Sequence, residues 1–86
     1  MAVSVTDDAL AVIKRSLELA SAQAVRLRMV GGELRSRFVT GAEEGDETIS
    51  LEGVQIFVAR SVVDVAPDVE ITVTDEHDKL VLRPLA

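Results

Sequence analysis

Apolar and polar residues alternate on both sides of a glycine pair in the middle of the chain. The stretch runs from Ala24 to Val39, with Gly31 and Gly32 at its centre. Glycine reaches positive φ angles without steric cost, and a two-residue hairpin turn requires such angles. The pattern therefore predicts a β-hairpin in which Val30 faces Glu33 and the pairing continues outward from the turn.

This register sorts the hairpin side chains onto two faces, because side chains along a strand alternate with period two. One face is apolar and receives Val25, Leu27, Met29, Leu34 and Phe38. The other face receives four arginines, namely Arg26, Arg28, Arg35 and Arg37. The hairpin is thus predicted to have one face in the core and one basic face.

A helical spacing precedes the hairpin. Its apolar residues recur at intervals of three and four and are Leu10, Ile13, Leu17 and Ala20. This spacing predicts a helix over 7–20 with one buried stripe, and Thr6 is the expected N-cap. The short alternating run at 3–5 predicts an edge strand before that helix.

Further alternating runs follow the hairpin. They predict strands at 48–51, 54–58, 69–74 and 79–83. The acidic segment 41–47 is expected to be a solvated, mobile loop, since it has no large apolar residue to bury. Segment 61–67 stays open between a helical turn capped by Ser61 and an extended strand. The order of elements predicts a single α+β domain over 1–86, with one N-terminal helix packed on antiparallel or mixed sheets.

Charge and composition restrict the function. The net charge of −6 argues against nucleic-acid binding, and two phenylalanines are too few for a base-stacking platform. No apolar run approaches the roughly 20 residues of a membrane span. Asp7 and Asp8 lie where a signal peptide would be basic and then apolar, so a cytoplasmic location is expected.

The absence of cysteine excludes disulfides, thiolate catalysis and cysteine-ligated metal centres within these 86 residues.

Several strings, in this order, resemble the A-type iron–sulfur carrier family, also called HesB-like or IscA-like. The opening 3–10, the strand 25–32 ending in Gly-Gly, the acidic pair 46–47 followed by 53–58, and the closing strand ending at Pro84 carry the resemblance. It spans nearly the whole chain and implies a small, β-rich HesB-like fold.

The resemblance also implies three cysteine ligands that this sequence does not have. In the family, one cysteine follows the Gly-Gly pair directly and two lie in a Cys-Gly-Cys tail. Here Glu33 follows the glycines, and no such tail is found before Ala86. A lone carboxylate cannot hold a sulfide-bridged cluster in the family's manner, so no cofactor is expected and Glu33 is at most a weak metal ligand.

The basic face has two interpretations. Arginines that lie opposite each other repel, so the chain's own carboxylates are expected to neutralise them; the candidates are Glu43, Glu44, Asp46, Glu47 and Glu70. Alternatively, Arg26, Arg28, Arg35 and Arg37 bind an acidic partner or a small anion, since guanidinium groups bind carboxylate and phosphate in a bidentate manner.

No set of acid, base and nucleophile can be assembled from the sequence, so an enzyme is not expected. His77 lies among acidic residues in a segment that fits no zinc or calcium template, and we interpret it as part of a solvated turn. The leading hypothesis is a cysteine-less HesB-like protein, related to iron–sulfur assembly, that acts as a protein-binding or regulatory module and forms an oligomer. The alternative is a domain that binds a small anion or metabolite through the basic face.

Overall fold

A computed structural model of the chain describes residues 2–65, 68–74 and 79–84. The described residues form seven strands and two helices. In chain order these are β1 (Ala2–Val5), α1 (Asp7–Ala20), β2 (Ala24–Val30), β3 (Glu33–Val39), β4 (Glu47–Leu51), β5 (Val54–Val58), α2 (Arg60–Val63), β6 (Asp68–Val73) and β7 (Leu80–Pro84).

The strands form two mixed sheets. The larger sheet has the order β3-β2-β5-β4, and the smaller has the order β1-β6-β7. Each contains one parallel pair, β2 with β5 and β1 with β6, and the other pairs are antiparallel. Residues of both sheets and of α1 share one apolar core, in which Leu27, Ile56 and Ile71 are fully buried. The predicted α+β class with one N-terminal helix on mixed sheets is confirmed.

Helix α1 begins and ends at the predicted residues. The Thr6 Oγ1 accepts a hydrogen bond from the Ala9 N–H at 3.2 Å, which satisfies one of the free donors of the first turn. Leu10, Ile13 and Leu17 are buried as expected. The prediction for Ala20 is wrong, because it is exposed. Ala9 is fully buried instead, since it lies four residues before Ile13 and shares its face.

The central hairpin has the predicted register at every pair from Val30 opposite Glu33 to Val25 opposite Phe38. Gly31 and Gly32 have φ angles of 58° and 82°, as a two-residue turn of this kind requires. Phe38 departs from the predicted core face, because its side chain is 48% exposed. It lies near the end of β3, an edge strand with a hydrogen-bonded neighbour on one side only.

The connection between β3 and β4 crosses the larger sheet. These two strands are its opposite edges, so residues 40–46 must pass over β2 and β5, a distance of about 15 Å. Phe57 of β5 is only 6% exposed although it points away from the apolar core, to the same side as Arg26. Residues 40–46 therefore cover part of the face that carries Arg26. The alternation along β5 does not predict this, because it places Phe57 on the side away from the core.

Segment 61–67 is helical in its first part, which settles that alternative. Helix α2 is a single turn, and its N-cap position is Ala59, so the prediction of Ser61 as the cap is wrong. The Ser61 Oγ instead accepts a hydrogen bond from the Met29 N–H at 3.1 Å. Pro67 and the segment around His77 lie outside the described residues. None of the described helices has both the length and the apolar character needed to cross a membrane.

The hairpin turn gives a direct test of the fold. We expect Gly32→Ala to lower the free energy of unfolding by about 1–2 kcal/mol, because an alanine side chain is strained at a φ of +82°. The measurement is urea unfolding. Gly41→Ala is the matched control, since a Cβ at Gly41 meets nothing within 4 Å and its φ is not in the left-handed region. Equal effects of the two substitutions would contradict the assigned turn.

Candidate functional site

The four arginines of the hairpin lie on one face of the larger sheet. Arg26 pairs with Arg37 in the register of β2 and β3, and Arg28 pairs with Arg35. Arg26 also lies beside Phe57 in the parallel register of β2 and β5. Residues in register across neighbouring strands share a face, so these side chains form one surface. The structure thus brings the predicted site residues together.

Arg26 makes a bidentate ion pair with Asp46. The Arg26 Nε lies 2.9 Å from Asp46 Oδ2, and its Nη2 lies 3.1 Å from Asp46 Oδ1. The side chain of Arg26 is 13% exposed and that of Asp46 is 1% exposed. The expectation that segment 41–47 is a solvated loop is therefore wrong at Asp46, because this carboxylate is buried against the sheet.

Hydrogen bonds within the crossing connection hold Asp46 in place. Its Oδ2 accepts the Glu43 N–H at 2.9 Å, and its own N–H donates to the Glu43 backbone oxygen at 3.1 Å. The hydrogen bond from Arg26 lowers the pKa of the Asp46 carboxyl, against the opposing effect of desolvation. The same hydrogen bond raises the pKa of the Arg26 guanidinium. Both groups therefore stay charged at neutral pH.

The Glu43 carboxylate bridges the opposed arginines Arg26 and Arg37. Its Oε2 lies 3.5 Å from Arg26 Nη1 and 3.3 Å from Arg37 Nη2. This contact offsets the repulsion between two guanidinium groups that face each other across the strands. The chain's own carboxylates thus neutralise Arg26 and Arg37, as the first interpretation of the basic face expects. Glu70, another candidate, pairs with Arg83 instead.

The other half of the basic face is exposed. Arg35 pairs with Glu33 at 2.7 Å, while its side chain remains 57% exposed. Arg28 is also exposed, and no carboxylate of the described residues forms an ion pair with it. Arg28, Arg35 and Arg37 are therefore accessible to a partner, whereas Arg26 is held within the structure.

Glu33 lies at the start of β3, directly after the glycine turn. Its carboxylate is 2.7 Å from Arg35 Nη2 and 4.0 Å from Lys79 Nζ, beside a cleft of about 280 Å³ between the hairpin tip and β7. Lys79 is not among the predicted site residues, because nothing in the local sequence links it to Glu33. Two neighbouring cations oppose the binding of a metal cation at this carboxylate.

The donor set around Glu33 does not fit an iron–sulfur cluster. Such clusters are held by thiolates, and the sequence contains no cysteine. In the part of the chain that the structure describes, no three His, Asp or Glu side chains come together as metal ligands.

The buried ion pair predicts a pH dependence of stability. The folded-state pKa of Asp46 is lowered, so its ionised form stabilises the fold above the unfolded pKa of about 4, and this contribution is lost as pH falls through the folded pKa. We expect Asp46→Asn to lower the free energy of unfolding by about 2 kcal/mol at pH 7, and by progressively less below pH 4.

The measurement is urea unfolding of wild type and variant from pH 7 down to acid. Glu44→Gln is the matched control, because it removes one negative charge from the same connection and Glu44 forms no ion pair with any described residue. An Asp46→Asn deficit that stays constant down to the lowest pH would show that the ion pair does not form as described.

Solved structures of other proteins are similar to this chain over nearly its whole length. A protein from Aquifex aeolicus, determined by solution NMR, superposes with a TM-score of 0.74 at 23% identity, covering 95% of this chain and 90% of that one. Escherichia coli SufA, a protein involved in the biosynthesis of iron–sulfur clusters, has a TM-score of 0.73 at 16% identity, covering 96% and 83%.

An IscA that contains a [2Fe–2S] cluster has a TM-score of 0.67 at 14% identity, covering 94% of this chain and 81% of that one. No family model matches the sequence, and no curated protein matches it. The likeness to solved structures thus establishes the fold, and it confirms the fold that the sequence resemblance predicts. The chain has the HesB-like fold of SufA and IscA.

Proposed function

We propose that this protein is a non-enzymatic, cytoplasmic module of iron–sulfur assembly, which binds partner proteins and holds no cluster. One observation carries the proposal: the HesB-like fold extends over nearly the whole chain, while the sequence contains no cysteine and Glu33, which the sequence resemblance places at the family's first cysteine, is paired with Arg35. Fold likeness supports the link to assembly, and the changed donor set supports the loss of cluster binding.

The exposed arginines supply the binding surface of the proposal. Arg28, Arg35 and Arg37 lie side by side on β2 and β3 and are open to solvent, in a chain whose net charge is −6. The basic patch attracts an acidic partner surface, while the acidic remainder of the protein repels it. The partner would therefore bind in one orientation. Association with a partner would also increase the stability of the protein, because a chain of this size buries only a small core.

A second candidate is the binding of a small anion or metabolite at the same face. The observation that favours it is Arg28, which faces Arg35 across the strands and has no carboxylate partner among the described residues. A phosphate or carboxylate placed between Arg28 and Arg35 would relieve their repulsion and accept bidentate hydrogen bonds.

Loss of cluster binding is tested by anaerobic reconstitution with ferrous iron and sulfide, followed by desalting. We expect the protein to retain no sulfide-bridged cluster, because it offers no thiolate ligand. The readouts are visible absorption and analysis of bound iron and sulfide. The cluster-containing IscA of the comparison is the positive control. Stoichiometric retention of iron and sulfide would overturn this part of the proposal.

Protein binding is tested by capture from lysate of the native source with the tagged protein. We expect iron–sulfur assembly or client proteins to be recovered with wild type and lost with Arg28→Glu plus Arg35→Glu. Arg15→Glu together with Arg60→Glu is the matched control, because it makes the same change in charge at two exposed arginines outside the hairpin. Arg26 is left intact, since a glutamate there would face Asp46 and Glu43.

The same variants separate the two candidate functions. Recovery of the same proteins with wild type and with the Arg28→Glu plus Arg35→Glu variant would contradict docking through the basic face. If in addition inorganic phosphate raises the thermal midpoint of wild type and not of Arg28→Glu, the small-anion candidate replaces the protein-binding one, because a ligand stabilises only the form that binds it.

A further inference from the structure

Backbone groups along the outer edge of β3 have no hydrogen-bond partner among the residues that the structure describes. In the larger sheet β3 pairs with β2 alone. A hairpin closed by a two-residue turn forms its first hydrogen-bonded pair at the residues that flank the turn, here Val30 and Glu33, and hydrogen-bonded and non-hydrogen-bonded pairs then alternate. Leu34, Ser36 and Phe38 occupy the non-hydrogen-bonded positions. Their N–H and C=O groups therefore point away from β2.

No described residue satisfies these groups at Ser36 and Phe38. Strand β7 is the neighbouring element, but it forms no backbone ladder with β3. Near the turn, Glu33 of β3 forms an ion pair at 4.0 Å with Lys79, the residue before β7. Among the described residues, the half of β3 that contains Ser36 and Phe38 is thus an unpaired strand edge beside Leu80, and such an edge can pair with another extended segment.

The side of this edge that faces α1 is apolar. A cavity of about 70 Å³ lies there between β3, α1 and β7, and Phe38, Val12 and Leu80 are among its lining residues. Phe38 is the side chain that the sequence places in the core and the structure leaves 48% exposed. An apolar side chain from an added strand would cover Phe38 and contribute to the burial that β3 lacks.

The opposite side of the same edge is basic. Arg35 and Arg37 alternate with Ser36 and Phe38 along β3 and are 57% and 56% exposed. Side chains of an added strand would lie beside those of β3 on both faces, because cross-strand neighbours share a face. This half of the edge therefore presents the cationic Arg35 and Arg37 on one face, and Ser36 and the apolar Phe38 on the other.

We propose that the β3 edge around Ser36 and Phe38 binds an extended segment of a partner protein, as a fifth strand of the larger sheet, and that apolar and acidic residues alternate in this segment. The proposal rests on the proposed protein-binding function and names its partner chemistry. Acidic residues of the segment meet Arg35 and Arg37, and apolar residues meet Phe38 and the cavity beside α1. Backbone hydrogen bonds supply affinity, and the alternation supplies specificity.

A second copy of this chain is a poorer occupant when it pairs through the same edge. Antiparallel pairing of β3 with β3 would place Arg35 and Arg37 of one copy beside the same residues of the other. Like charges on neighbouring strands repel, so this arrangement is unfavourable without a bound anion. An acidic segment gives the opposite sign of interaction at the same positions.

The test uses a fluorescent synthetic peptide of seven residues, the length of β3, in which valine alternates with glutamate. We expect it to bind wild type, as measured by fluorescence anisotropy, and we expect a peptide of identical composition with its valines and glutamates in two blocks to bind about tenfold more weakly or not at all. Ser36→Pro removes the outward N–H at the centre of the edge and costs no hydrogen bond to β2. It should weaken binding by about tenfold or more.

Ser36→Thr is the matched control, because it keeps the N–H and should bind as wild type does. A measurement on wild type makes the result independent of the folding of the proline variant: hydrogen exchange of the Ser36 and Phe38 amides should slow when the peptide is added. Equal binding of the two peptides, unchanged binding by Ser36→Pro, or unchanged exchange at both amides would overturn the proposal.

These outcomes are separate from the test of the proposed function. Capture of assembly proteins that depends on Arg28 and Arg35, together with failure of the peptide, would leave the function in place and remove the strand-edge mode. Failure of the capture experiment together with binding of the peptide would remove the proposed assembly function and leave the strand-edge binding in place.

Discussion

The bidentate ion pair between Arg26 and Asp46 is the contact on which the arrangement of the larger sheet depends. The sheet order places β3 and β4 at opposite edges, so the chain between them must cross a face that would otherwise be open. Asp46 ties the end of that crossing to the centre of β2, with Oδ atoms 2.9 and 3.1 Å from the guanidinium nitrogens. Burying one of these charges alone would be strongly unfavourable, so the two side chains depend on each other.

The same contact divides the basic face into two parts with different roles. Arg26 is used internally, and Glu43 links it to Arg37, so this part mainly holds the crossing connection. Arg28 and Arg35 lie farther along the hairpin toward its turn, beyond the reach of Asp46, and remain open. A surface that looks uniform in the sequence, with four arginines, is thus structural at Arg26 and accessible at Arg28, Arg35 and Arg37, of which Arg37 also contacts Glu43. This division decides which substitutions can test binding without disturbing the fold.

What could be predicted from the sequence depends on the range of the interaction. The hairpin register follows from Gly31 and Gly32, and the helix start follows from the Thr6 cap; both depend on neighbours a few residues away. The burial of Phe57 and Asp46 could not be predicted, because it follows from the order of strands in the sheet. The role of Ser61 was missed for the same reason: its partner is the Met29 N–H, 32 residues earlier in the chain. The arginine face was found because period-two alternation is local, whereas the distribution of its carboxylate partners is not.

Glu33 lies where the sequence resemblance places the family's first cysteine, and the glycine turn forms with a carboxylate there. The position is set by the backbone of the glycine turn and by pairing with Val30, and neither depends on the side chain at 33. That side chain is half exposed and lies outside the apolar core, so the turn accommodates a carboxylate at little cost in packing. Once present, the carboxylate finds Arg35 on its own face of β3, two residues away, and Lys79 across the cleft. Both ion pairs engage the Glu33 carboxylate, which is the only acidic side chain among the described residues that line this cleft. The HesB-like fold of this chain therefore does not depend on a thiol at position 33, since the strands that flank the turn keep their register with a carboxylate there.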